Sequence, residues 1–259
     1  MKGLWAIGFA VTCGAAQAQC SDGIEKALRA FDAKTPTEGR VATAHCKPWP
    51  PAPDSVLAAV MAFRPTQHSA QAPDWQVPAV VALVDARTGK VLHGRRFIVS
   101  EDAATQVGDE SLRVDTANYA LAPGVRALGL RFHNEGRRPA AADGWWNDEL
   151  MLLVPEGRAL RPVFCQPLMA QEAVEGSLSH QRPGAIWKQA RLTVSVGPQP
   201  TTGWRDLVIT ATEVLDGAPD ATFDATPHRS RSTYRYEGGH YKLLTRPALF
   251  WSGYRCSVE

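Results

Sequence analysis

Arg191-Leu192-Thr193-Val194-Ser195-Val196 decides the fold class of this chain. Apolar and polar side chains alternate through it without a break. Successive side chains of an extended strand point to opposite faces. The stretch therefore buries Leu192, Val194 and Val196 and shows Arg191, Thr193 and Ser195 to water. Leu128, Leu130 and Phe132 alternate in the same way with Ala127, Gly129 and Arg131.

Working outward, three tight hairpins are legible. Residues 80–84 and 91–99 flank Ala86-Arg87-Thr88-Gly89, residues 150–154 and 160–164 flank Glu156-Gly157, and residues 233–236 and 241–244 flank Glu237-Gly238-Gly239. Glycine supplies the positive φ that such turns require. A further strand precedes each hairpin, at 56–63, 126–133 and 206–214, separated from it by a longer loop. The order strand, long loop, strand, tight turn, strand thus occurs three times, as a degenerate repeat. Additional strands fit 111–121 and 190–197. About eleven strands predict a mainly β fold, an antiparallel sandwich or irregular meander. A small propeller-like fold is the alternative, because propeller blades are also four-stranded meanders.

One helix is expected over 22–33, where Ile24, Leu28 and Phe31 form a single apolar stripe. Cys46-Lys47-Pro48-Trp49-Pro50-Pro51 reads as a rigid, extended connector, since proline fixes φ and biases the residue before it. The chain start has the build of an export signal: Met1-Lys2, the apolar run LWAIGFAVTC over residues 4–13, and the small-residue exit Ala16-Gln17-Ala18. Cleavage is expected between Ala18 and Gln19. The run is too short to span a bilayer, which takes about 20 apolar residues, and no later segment is longer. Gln17 and Gln19 break the pattern that lipidation of Cys20 would need. The plan is a signal over 1–18, a helix and proline-rich connector over 19–53, and an antiparallel β domain over 54–259. The expected location is periplasmic or secreted.

Cys13 leaves with the signal, so Cys20, Cys46, Cys165 and Cys256 remain. An even number in an exported chain predicts two disulfides, with three pairings open. Proximity puts Cys20–Cys46 and Cys165–Cys256 first, with Cys20–Cys256 as the rival. No CxxC is present, so neither a redox pair nor a zinc knuckle is indicated. Across the chain 28 Lys and Arg stand against 26 Asp and Glu. That balance gives no case for a nucleic-acid partner.

Cys46-Lys47-Pro48-Trp49-Pro50, Asp115-Thr116-Ala117-Asn118-Tyr119 and Arg126-Ala127-Leu128-Gly129-Leu130-Arg131 together resemble segments of uncharacterised exported proteins of Gram-negative bacteria. The resemblance implies an envelope location and no activity.

Neither GxSxG nor HExxH occurs, and the seven histidines stand apart in the sequence. No cofactor is expected. Asp216, Asp220 and Asp224 lie four apart without a DxDxDG loop, so they read as a solvated loop and no metal is expected. Gly144-Trp145-Trp146-Asn147-Asp148-Glu149 is the candidate ligand loop. Indole faces pack on sugar C–H surfaces, and Asn147 and Asp148 would bond hydroxyls. Against this, Trp145 or Trp146 could plug a sheet edge, as Trp75 and Trp204 also precede strands. Arg229, Arg231 and Arg235 share one strand face, with Tyr234 and Tyr236 on the other. That face suits envelope phosphates or a charge-protected edge. The expected function is non-catalytic binding of a protein or glycan partner in the envelope. The alternative is a cell-wall glycan hydrolase acting through loop carboxylates, although neighbours such as Asp148 and Glu149 point apart on one strand.

Overall fold

The computed structural model describes residues 20–31, 39–64, 76–136, 144–175, 183–200 and 203–244. The expected signal, its cleavage point, Trp75 and Cys256 lie outside the described residues.

Helix α1 (Asp22–Ala30) leads into three four-stranded antiparallel meanders. The first is β1 (Arg40–Pro48), β2 (Val56–Arg64), β3 (Gln76–Asp85) and β4 (Val91–Ser100). The second begins with β5 (Leu112–Asp115). A small hairpin of β6 (Ala120–Ala122) and β7 (Val125–Arg126) interrupts it, and it continues with β8 (Leu128–Phe132), β9 (Gly144–Glu156) and β10 (Ala159–Glu175). The third is β11 (Ile186–Pro200), β12 (Arg205–Gly217), β13 (His228–Glu237) and β14 (His240–Leu243). The repeat read from the turns is therefore real at the level of strand pairing: β2-β3-β4, β8-β9-β10 and β12-β13-β14 are each joined in that order.

The meanders merge into one 12-stranded sheet that folds back on itself without closing. β10 is the joint. Antiparallel pairing from Met169 to Glu175 ties it to β11. One parallel bridge, Ala159 to Gly94, ties it to β4. The Gly94 N–H donates to the Arg158 carbonyl there at 3.0 Å.

Packing follows the pleat. Ala58, Val60, Val81 and Leu83 of the first meander meet Leu112, Leu128, Leu130, Met151 and Leu153 of the second in one core. Leu150, Leu152 and Val154 turn the other way and meet Leu192, Leu207 and Ile209 of the third. The architecture is thus a layered sandwich with the second meander as shared wall. No buried residue of the first meander joins the core of the third, so the sheets stack as layers and are not blades around a channel.

α1 covers the outer face of the first meander, burying Ile24 and Leu28 against Met61, Phe63 and Val80. Asp22 and Glu25 open the helix and Arg29 closes it, each matching the helix dipole. It ends at Ala30, three residues before the expected end at 33. Arg96 donates to the Arg29 carbonyl at 3.0 Å and to the Phe31 carbonyl, holding Phe31 itself in extended geometry. The Cys20–Cys46 disulfide pins the helix to β1. Cys165 is also disulfide-bonded, and its expected partner Cys256 lies outside the described residues.

Some expectations need correction. Cys46-Lys47-Pro48 is not a free connector but the end of β1, paired with Leu57 to Ala59 of β2. A proline fits there because an edge strand can end on a residue without a donor. The stretch 111–121 breaks after Asp115, whose carboxylate accepts the Ala117 N–H at 3.0 Å and turns the chain. The Gly144–Glu149 loop is instead the start of β9, with Gly144 to Asn147 and Glu149 in register with β10.

Candidate functional site

Where the second meander meets β1 and β11, its surface carries a cleft with two lobes. The larger holds about 600 Å³ and is lined by Lys47, Glu110, Arg113, Asp115, Arg131, His133 and Asp148 among others. The smaller, about 460 Å³, lies near the wedge where β11 leaves β10, with Leu168, Met169, Arg191 and Thr193 on its wall. Arg131 and Asp148 line both lobes.

Parity explains the exposed polar groups. Leu128, Leu130 and Phe132 of β8 enter the first core, so Arg131 takes the opposite face. Arg113 of β5 is its register partner. Arg131 Nε donates to Asp115 Oδ2 at 2.9 Å. The Tyr119 hydroxyl donates to the same carboxylate at 3.1 Å. Burial and the Asp115 charge push the Tyr119 pKa up to about 12, so the phenol stays a donor at any physiological pH. Arg113 pairs with Glu110.

Asp148 is the one described non-glycine residue with positive φ, at 54°. Such backbone costs energy and persists where its surroundings hold it. Its N–H donates to Asn147 Oδ1 at 2.8 Å, and His133 Nδ1 lies 2.6 Å from its Oδ1. Asn147 fixes this geometry. Its Oδ1 also accepts the Asn134 N–H at 2.7 Å and its Nδ2 donates to the Asn134 carbonyl at 3.0 Å. Asn147 is buried, so it braces the Asn134 backbone beside His133, and the Asp148 N–H, without itself lining either lobe.

The four residues singled out in sequence thus part company. Asp148 lines the cleft and Asn147 supports it. Trp145 packs on the small cluster of Ala185, Trp187 and Ala218. Trp146 is 37% exposed. Neither indole lines either lobe. Asp216, Asp220 and Asp224 do not group: Asp216 accepts from the Gly217 N–H and Gln189 Nε2, Asp220 from the distant Gly184 N–H, and Asp224 from the Thr226 N–H in a local turn. Among the described residues no three His, Cys, Asp or Glu side chains group as metal ligands, and no helix is long and apolar enough to cross a membrane.

Lys47, Glu110, Arg113, Asp115, Arg131, His133 and Arg191 had no motif to mark them. One signal was present. Three strings singled out in the sequence, 46–50, 115–119 and 126–131, converge here and bring Lys47, Asp115, Tyr119 and Arg131 to the cleft. The Arg126 guanidinium joins two of them again, 5.4 Å over the Trp49 ring. No known family, curated protein or solved structure matches the chain.

Proposed function

We propose that this chain is a non-catalytic periplasmic protein that binds an anionic glycan of the envelope in the two-lobed cleft. The observation that carries the reading is the charge of the lining. Lys47, Arg113, Arg131 and Arg191, with His133, face Glu110, Asp115 and Asp148. Neither Lys47 nor Arg191 has an ion-pair partner among the described residues. Guanidinium groups bind carboxylates through paired hydrogen bonds, which suits acidic sugars. The export-like start at 1–18 and the disulfides support an oxidising compartment.

Calorimetric titration with a hexuronate disaccharide tests the reading. Binding is expected for the acidic sugar and not for its neutral counterpart, and Lys47→Ser with Arg191→Ser should weaken it at least tenfold. Equal binding of both sugars, or none, would refute the proposal.

A second reading, glycan hydrolysis, draws on the Asp148–His133 pair with its unusual backbone. It is the weaker one because Asp115 is already held by the Arg131 guanidinium and Asp148 by His133 Nδ1. Release of reducing ends that stops in Asp148→Asn would replace binding by catalysis.

A further inference from the structure

The cleft continues onto the outer face of the third meander. Register fixes which residues share that face. Arg191 of β11, Thr212 of β12 and Arg229 of β13 form one row. Thr193, Thr210 and Arg231 form the next, and Ser195, Val208 and Thr233 the third. Their chain neighbours Leu192, Ile209, Ala211 and Ser232 are buried on the inner face. The rows hold no carboxylate. The first one beyond them, Asp206, is already held by Arg235 at 3.1 Å.

Arg191, Arg229 and Arg231 are exposed, and no ion pair engages them among the described residues. Adjacent strands lie about 4.8 Å apart, so Arg191 and Arg229 stand about 10 Å from each other across Thr212. Protection of an edge strand would explain Arg229 and Arg231 on β13. It does not explain Arg191, which lies two strands further in and also lines the smaller lobe of the cleft. Hydroxyls of Thr193, Thr210, Thr212 and Ser195 fill the space between the charges. Val208 is the one apolar residue in the rows and is half-buried, so nothing on this face would insert into a lipid layer.

From these rows we infer that the ligand is a polymer: an anionic polysaccharide with carboxylates repeated along its length, lying from the cleft through Arg191 across β11, β12 and β13. This rests on the cleft being an acidic-sugar site. Two arginines beyond the cleft add contacts that only a long chain reaches, and a linked second contact raises affinity without any change in the first.

The experiment compares hexuronate disaccharide, long polyuronate chains, neutral dextran and phosphatidylglycerol vesicles as probes of the full chain. Polyuronate should bind at least tenfold more tightly than the disaccharide, and dextran and vesicles should not bind. Arg229→Ser with Arg231→Ser should abolish the length advantage and leave disaccharide binding unchanged. Both residues are exposed on a strand surface, so the variant should keep its melting temperature. Disaccharide binding with no length advantage would overturn this inference and leave the cleft reading intact. A polymer bound through Arg229 and Arg231 with no disaccharide binding would overturn the cleft reading instead. Vesicle binding without polyuronate binding would identify an anionic membrane as the partner and overturn both.

Discussion

The first and third meanders share one strand order and differ in how many faces they bury. In the first, β2 and β3 are covered on both sides, by the second meander and by α1. Their sequences are accordingly near-continuous apolar runs, VLAAVMAF and VPAVVALV. In the third, β11 and β12 bury their inner side, and from Arg191 to Ser195 and Val208 to Thr212 their outer side is threonine, serine and arginine with Val208 alone apolar. Packing on both sides fixes the chemical character of a strand. Where a face stays bare, the sequence is free to choose side chains for a partner.

The largest break in the comparison should come from paired truncations. Phe63 on β2 is fully buried, and Phe63→Ala should cost about 3–5 kcal/mol. Thr210→Ala on the bare face should stay within about 0.5 kcal/mol. Chemical denaturation of both variants measures the difference, and equal losses would erase the distinction between the two meanders.

Next is the staple on the covered side. The Cys20–Cys46 bond closes a loop with a sequence separation of 26. Replacing both cysteines by serine should cost about 3–4 kcal/mol, mostly by loosening the unfolded chain. Protease cleavage before Cys46 should then appear under native conditions, because α1 loses its covalent hold. If α1 stays protected, its apolar contacts alone keep it docked.

The smallest effect is a pH dependence at the seam between β1 and β5. His45 Nδ1 accepts the Val114 N–H at 3.2 Å, which requires the neutral ring. Burial, then Lys47 and Arg113, hold its pKa below 6.5, against the pull of Glu110. The unfolded chain therefore binds this proton more readily than the folded one. Stability present above pH 6.5 should fall as the pH drops from there through the folded-state value. His45→Asn should flatten that limb of a melting-temperature profile, and an unchanged limb would assign it to other groups.

Much of the fold was legible because strand alternation and glycine turns are local signals. Leu192, Val194 and Val196 do face a core, and Gly89, Gly157 and Gly238 do carry positive φ. The end of α1 was not legible, since it depends on Arg96, distant in sequence. Nor was the proline-rich stretch, whose pairing with β2 overrides its look of a connector. The cleft was least legible. Lys47, Arg113, Arg131, Asp148 and Arg191 come from five strands, and only pairing brings them together. Asp148 was singled out for the indoles beside it, whereas its place in the cleft comes from Asn147 and His133.

β9 has a consequence for how the chain acquires its structure in time. Met151 and Leu153 complete one core while Leu150, Leu152 and Val154 complete the other. A chain emerging from its N-terminus delivers the first meander well before this wall exists. Ala58, Val60 and Val81 then wait uncovered, presenting a sticky surface to any passing neighbour. Whatever machinery escorts the chain must shield that surface until residues 112–153 arrive. From then on the two halves have no separate fates, because a strand that leaves one core leaves the other as well.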